Sequence, residues 1–352
     1  MEEKKKTARE IIEGYDGPPV RIMEVCGTHT HEIFRLGIRK LLPEQVELIS
    51  GPGCPVCVTQ VGFIDEAIYL ALERQVTICT FGDLVRVPGT NMSLAGARER
   101  GAKIRIVYSP VDAKEYAKEH PKEQVTFLSV GFETTTPSAC LSVKKAREEG
   151  LTNYSILTAN KTMPQAYEAL KGSADIFLYP GHVNAITGTK LCEELAKEGV
   201  SGVVAGFTAK ELLTALAVAL VRFQEGGPFF VNCYPRVVTE NGSPQAQKLV
   251  EEMMEPCDSE WRGLGVIKGS AMRLQEEWSA FDARKKYKIP PIQGKANPAC
   301  RCGDVLQGKC KPSDCKVFGK VCTPQHPVGA CMVSGEGACS AYYMYGEAEK
   351  MK

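Results

Sequence analysis

Sulfur is the chemistry that the residue types of this chain offer first. Seven of its fifteen cysteines crowd the C-terminal stretch, at Cys300, Cys302, Cys310, Cys315, Cys322, Cys331 and Cys339. Three more sit near the start in Gly/Pro-rich turns: Cys26 in CGTHTH, and Cys54 and Cys57 in GPGCPVC. Zinc sites usually announce themselves by paired CxxC knuckles. No CxxC follows Cys57, and the steps between successive tail cysteines are 2, 8, 5, 7, 9 and 8 residues. Such irregular, Gly/Pro-broken spacing suits a cubane iron–sulfur cluster, whose ligands approach from several loops. Zinc and metal-free thiols are the alternatives. Seven cysteines exceed the four that a cluster needs, so the surplus is either a redox pair or a set of inert buried thiols. Cys310 lies between Lys309 and Lys311, whose charges would favour its thiolate.

The N-terminal cysteines belong to a different setting. GPGCPVC directly follows an apolar run, Val46–Ile49, and so occupies a strand-to-helix turn. In an open α/β sheet such turns lie at the carboxyl edge of the strands, where ligands bind. A CxxC at a helix start has amide N–H groups facing its sulfur; the bland alternative is a thioredoxin-like disulfide or a fortuitous pair. CGTHTH follows Val20–Val25 in the same way, with His29 and His31 close to Cys26. A lone histidine is usually structural, but a cysteine with two nearby histidines suits metal or acid–base work. Glu133 in GFETTTP, Asn160–Lys161 and His182 in PGHV each follow another strand candidate. Glu133 is a candidate base or acceptor, against the alternative that the neighbouring threonines merely cap a helix.

The elements that must position these groups alternate. Strand candidates are Val20–Val25, Val46–Ile49, Val76–Thr80, Ile104–Tyr108, Val125–Val130, Tyr154–Leu157, Ile176–Leu178 and Val203–Ala205, separated by Ala/Glu/Lys-rich helical segments. This is the pattern of βαβ units and parallel sheets. The fold class expected is α/β: two parallel-sheet, Rossmann-like α/β domains plus a cysteine-rich, iron–sulfur-binding C-terminal domain. The expected boundaries are 1–120, 121–225 and 226–352, the first break falling near EHPKEQ. Gln245–Glu255 reads as a helix. Beyond Gly294 hydrophobic periodicity is lost, so this segment needs a metal cluster or disulfides to order it. A formal net charge of +1 leaves no electrostatic footprint for nucleic acid or an anionic membrane. The longest apolar run, Leu212 to Val221, is too short for a membrane span and reads as a buried helix. The charged opening MEEKKK carries no apolar h-region, so a reducing, cytoplasmic setting is expected, in which grouped cysteines are metal ligands or catalytic thiols.

Taken together, MEVCGTHTHEI, SGPGCPVCVT, VGFETTTP, YPGHV and the tail from CRCGDVL through FGKVCTP to GACMVSGEGAC resemble the HypD family of hydrogenase maturation factors over nearly the whole chain. The resemblance implies two α/β domains and a [4Fe–4S] cluster. It implies a scaffold for assembling the Fe(CN)2CO group of nickel–iron hydrogenase, rather than a stand-alone metabolic enzyme. It also implies partnership with a HypC-type chaperone and a HypE-type cyanide donor and, indirectly, with the hydrogenase large subunit. Carried over, Cys26, Cys54 and Cys57 match the thiols of the iron-assembly site, with His29 and His31 in the same motif. A soft iron bearing cyanide and carbonyl suits thiolate donors. The ligand set expected for the cluster is Cys302, Cys315, Cys322 and Cys331, with Cys310 and Cys339 as a redox pair. The competing reading is an iron–sulfur disulfide reductase resembling ferredoxin:thioredoxin reductase. A nucleotide- or sugar-binding α/β protein with structural zinc is disfavoured, because neither a Walker A sequence nor a Rossmann glycine fingerprint appears in the expected place.

Overall fold

The computed structural model describes residues 6–346. The outermost ends of the first and last expected domains, 1–5 and 347–352, lie outside the described residues. Eleven strands form two sheets. In chain order they are β1 (Val20–Glu24), β2 (Val46–Ser50), β3 (Thr77–Thr80), β4 (Ile104–Ile106), β5 (Val125–Gly131), β6 (Tyr154–Lys161), β7 (Ile176–Pro180), β8 (Ser201–Ala205), β9 (Phe230–Asn232), β10 (Met254–Trp261) and β11 (Gly265–Leu274). The eight apolar runs of the sequence all become strands. Helices lie between most of them, as the alternation requires.

The first sheet is all-parallel, in the order β2-β1-β7-β8-β9. The second runs β10-β11-β6-β5-β3-β4 and is mixed, because β11 pairs antiparallel with both β6 and β10. Strand membership does not follow the expected halves. The chain lays down β1 and β2, crosses to build β3–β6, returns for β7–β9, and crosses again for the β10–β11 hairpin. Hydrophobic alternation identifies strands, but nothing in it says which sheet a strand joins.

Three elements differ from the reading of the sequence. β6 runs on through Asn160 and Lys161, which are buried in the strand rather than placed on a turn. Asn160 bonds Ser129 and Thr136, and Lys161 Nζ donates to Ser259 and to the Glu260 carbonyl, so both are structural. The helix expected over Gln245–Glu255 spans Pro244–Met253 and passes straight into β10. The hairpin itself is poorly announced, since β10 reads MEPCDSEW, acidic and interrupted by proline.

Four apolar clusters fill the interior, and one of them is shared by all parts of the chain. It contains Met23 and Ile49 from the first sheet, Trp261 from the hairpin, and Cys54, Cys57, Cys302, Leu306 and Cys331. The C-terminal segment is therefore not without a core. Val305, Leu306, Met332, Val333 and Ala341 are all buried. Each full burial of a large apolar side chain is worth ~1.5–3 kcal/mol, so the segment borrows the core of its neighbours where it cannot build one. Among the described residues no helix is long and apolar enough to cross a membrane. The Leu212–Val221 run lies within the helix Ala209–Glu225, which buries Leu212, Leu216 and Leu220 against the first sheet.

Candidate functional site

β1 and β2 are parallel neighbours in register, with Glu24 opposite Ser50. Their two thiol-bearing turns therefore leave the same sheet edge side by side, as the sequence pattern anticipates. Cys26 is the N-cap of the helix Gly27–Arg35, and Cys54 is the N-cap of the helical turn Pro55–Val58. The turns are stitched together by backbone: the Gly27 amide donates to the Gly53 carbonyl at 2.9 Å. A Cβ on Gly53 would stand 2.2 Å from the Cys26 nitrogen, so only glycine lets the two chains approach this closely. Beneath them Glu24 is wholly buried, accepting from Thr30 and pairing with Arg39. The Thr30 bond ties the Cys26 helix to β1, and the Arg39 pair ties the following turn, Ile38–Leu41, to it.

The sulfurs form a continuous chain. Cys57 Sγ lies 2.6 Å from Cys54 Sγ, and Cys302 Sγ lies 2.7 Å from Cys331 Sγ. Both separations fall between a covalent S–S bond of ~2.05 Å and an ordinary non-bonded contact. Cys57, Cys302 and Cys331 lie in one buried cluster, with Cys300 and Cys339 packed against it. Thus the tail cysteines reach the CPVC turn directly, through Cys331. The same tail sulfurs face a small cavity lined by Cys300, Cys302, Cys315, Cys322, Cys331 and Cys339, with Val305, Val317, Phe318 and Met332 as apolar cover.

Cys310 stands apart from this group. It lines a separate surface cleft with Arg21 and Glu47, so the structure does not bring it to Cys339. Nor is its thiolate favoured: burial pushes the thiol up and outweighs the Arg301 cation. Burial likewise pushes Cys26 up to about 12 and Cys57 well above the usual thiol range, despite the helix starts beside them. At Cys302 the contact with Cys300 pulls down, but Cys331 and burial together raise the thiol. Burial therefore favours the protonated thiol at Cys26 and Cys57.

The histidines divide. His29 is fully buried, and its Nε2–H donates to the Gly206 carbonyl at 3.0 Å after β8. Burial lowers it to about 4, leaving a neutral ring whose Nδ1 has no partner. His182 stacks on Phe207 at 3.9 Å, and His29 packs on the same ring at 4.7 Å. Burial also lowers His182, with the Glu336 carboxylate pulling the other way. His31 points toward the tail, its Nδ1 3.0 Å from the Gly335 carbonyl. Glu133 is half-buried at the start of the helix Met163–Ala169: Oε1 accepts from the Met163 amide at 2.8 Å, while the enclosed Oε2 has no partner. Burial pushes this carboxyl up to about 7.

A carboxylate, a hydroxyl and a thiol escape a reading of residue types. Glu336 lies over the CGTHTH turn, accepting from the Thr28 hydroxyl at 2.7 Å, and its charge raises Cys26. The signal was its place in SGEGAC, which also carries Cys339. Tyr167, with an unpartnered buried hydroxyl, sits within electrostatic reach of both Glu133 and Cys26. Cys300 carries no sequence mark beyond being a cysteine, yet it faces the tail cavity.

Among the described residues, no three His, Cys, Asp or Glu side chains stand preset around a metal position. The match to an iron–sulfur cluster is therefore one of donor type and shared cavity. Comparison with known proteins gives a sharper answer. The sequence model of the HypD family, described as "Hydrogenase formation hypA family", matches residues 2–346. A protein of Cupriavidus necator named hydrogenase maturation factor HypD is 42% identical over 347 residues, covering 95% of this chain and 92% of its own. Its namesake in Rhizobium leguminosarum bv. viciae is 43% identical over 358 residues, with 97% and 92% covered. That of Escherichia coli K12 is 43% identical over 339 residues, with 94% and 90% covered.

Proposed function

This chain belongs to the HypD family of hydrogenase maturation factors, and from that premise we propose that it is the scaffold and thiol-redox component on which the Fe(CN)2CO group of nickel–iron hydrogenase is assembled. The observation that carries the reading is the unbroken run of sulfurs from Cys54 through Cys57 and Cys331 to Cys302. Iron, as cargo, is held at the edge of the first sheet by Cys26, and by Cys54 and Cys57 only while those two are reduced thiols. A HypC-type chaperone docks over that crevice, and a HypE-type protein delivers cyanide as a thiocyanate on its own cysteine.

Releasing cyanide from a thiocyanate takes two electrons. The Cys54/Cys57 dithiol supplies them: the S–CN bond breaks, cyanide leaves, the donor's thiol is regenerated, and a Cys54–Cys57 disulfide forms. Resetting that disulfide is thiol–disulfide exchange. The Cys331 sulfur attacks Cys57, its neighbour in the same buried cluster, and Cys54 leaves as thiolate. Cys302 then attacks Cys331 and frees Cys57. The net change moves the disulfide from Cys54–Cys57 to Cys302–Cys331, with two protons going the other way.

This use of Cys302 and Cys331 revises the expected ligand set. The four remaining sulfurs of the tail cavity are Cys300, Cys315, Cys322 and Cys339, and these would hold a [4Fe–4S] cluster. When bound, that group supplies single electrons to the neighbouring pair. The same sulfur run also suits the second reading, a disulfide reductase with no iron cargo. Anaerobic purification with the HypC-type partner, iron and sulfide quantitation, and infrared spectroscopy separate the two. Iron beyond the cluster's four, with cyanide and carbonyl bands, supports the scaffold; neither band in repeated preparations overturns it.

A further inference from the structure

The two thiol pairs lie on short, weak elements. Cys54 and Cys57 belong to a four-residue helical turn, and Cys302 opens a five-residue helix. Neither is long enough to hold itself in place. Yet exchange between Cys57 and Cys331 requires the sulfurs to meet nearly in line, and a misplacement of ~1 Å can cost about 100-fold in rate. Something outside both elements must fix their separation.

The tip of the β10–β11 hairpin does so. Trp261, wholly buried, packs in the same cluster as Cys57, Cys302 and Cys331 and makes a bridge with Thr59. The next residue, Arg262, gives its backbone amide to the Val58 carbonyl at 2.8 Å. Its guanidinium donates twice to the Thr59 carbonyl, at 3.0 Å from Nε and 2.8 Å from Nη2. These are carbonyls at the C-terminal end of the CPVC turn, which a helix end leaves in need of donors. On its other side the tip meets the Cys302 helix. The Gly263 carbonyl accepts from Gln307 Nε2, and a Cβ on Gly263 would stand 2.3 Å from the Gly303 Cα. Gly263 has φ +85, a conformation natural to glycine, so the two backbones touch without side chains between them.

We infer that Arg262 is a positioning residue for sulfur exchange: with Gly263 and Gln307 it forms a brace that holds the CPVC turn and the Cys302 helix at the separation where Cys57 and Cys331 meet. The inference rests on the exchange reading above. Arg262 touches no reacting sulfur in this role. It acts by keeping the carbonyl end of one turn and the start of one helix on a common, rigid hairpin tip.

The test uses the full chain, fully reduced under anaerobic conditions and given one equivalent of a small organic thiocyanate. Acid quenching, alkylation and peptide mapping then follow the disulfide from Cys54–Cys57 to Cys302–Cys331. In Arg262→Ala the transfer should slow by about 10-fold or more, with Arg262→Lys between it and the unsubstituted chain. The final distribution between the two pairs should stay within about twofold, because a brace changes the approach of the sulfurs and not their relative stability as disulfides. Gln307→Ala, which removes only the other anchor, should slow transfer severalfold and guards against misfolding of the arginine variant. Equal transfer rates in these variants and the parent would overturn the inference alone. A shifted final distribution with an unchanged rate would also overturn it. No transfer in the unsubstituted chain would overturn the exchange reading, and the brace with it.

Discussion

The two sulfur sites of this protein are built in opposite ways. Cys26, Cys54 and Cys57 stand where parallel strands end, and backbone contacts between adjacent turns fix them. The tail cysteines stand on short helical pieces and the irregular chain between them, with local backbone bonds such as Cys322 N to Val317 O at 2.8 Å and Cys315 N to Pro312 O at 3.1 Å. Their order comes from apolar side chains lent to a neighbour's core and from the sulfurs themselves. One site is thus set by topology before any metal arrives. The other, on the reading proposed above, would be completed by the cluster it holds.

Cysteine replacement should break this comparison most visibly. Serine at Cys300, Cys315, Cys322 or Cys339 should abolish the visible absorption of the cluster, and hydrogen exchange of the tail should rise while the sheets stay protected. Serine at Cys302 or Cys331 should leave the absorption and abolish transfer of the disulfide from Cys54–Cys57. Loss of absorption in Cys302→Ser would return that residue to the ligand set. Serine at Cys26, Cys54 or Cys57 should block hydrogenase maturation with the cluster intact.

Next in size is a test of backbone approach. Gly53→Ala places a methyl group against the Cys26 nitrogen and Cα, at 2.2 and 2.3 Å, where no rotamer change gives relief. A destabilisation of about 1–3 kcal/mol is expected from such overpacking, together with loss of maturation activity. Gly335→Ala in the tail meets nothing within 4 Å and should be silent in both assays. Chemical denaturation and complementation of a maturation-deficient host measure the pair. Equal tolerance at the two glycines would mean that the first site is not fixed by its turns.

Glu133 carries the third prediction. Its carboxyl is raised by burial from 4.5 to about 7, so between those values the folded protein keeps a proton that the unfolded chain has lost. Stability from this group is therefore fully present below pH 4.5 and lost as pH rises through 7. Glu133→Gln keeps the acceptor for the Met163 amide and cannot ionise. It should be more stable than the parent at pH 8, by on the order of 3 kcal/mol for a shift of this size, and nearly equal to it at pH 4.5. A constant difference across that range would show that Glu133 does not titrate as a buried acid.

How much of this was legible beforehand depends on the kind of signal. The turns after β1 and β2 could be read because glycine, proline and cysteine directly follow apolar runs. Their adjacency followed from the parallel α/β pattern. The pairing of Cys302 with Cys331 could not be read, since spacing along a Gly/Pro-broken loop does not determine distance in space. Cys310 misled for a related reason: flanking lysines are visible in the sequence, whereas the burial that overrides them is not. The hairpin escaped notice because its strands carry Pro256 and acidic residues, and its worth lies in where its tip docks. The interleaved sheets were hidden for the same reason as the pairing, being a matter of long-range partners.

The smallest predicted effect concerns His29, and it sharpens the contrast from the acid side. Burial lowers this imidazole from 6.5 to about 4, with the Gly206 carbonyl pulling the other way. The folded state therefore holds it neutral where the unfolded chain binds a proton. Stability from this group is present above pH 6.5 and lost as pH falls toward 4. His29→Gln, whose amide can still donate to Gly206, should flatten the loss of stability on acidification. At pH 5 the difference in slope should amount to about 2 kcal/mol. Denaturant unfolding at pH 7, 6 and 5 decides the matter. Parallel acid limbs for the parent and His29→Gln would mean that the ring is not held neutral in the folded site, and the N-terminal thiols would then have a cation beside them that the present geometry excludes.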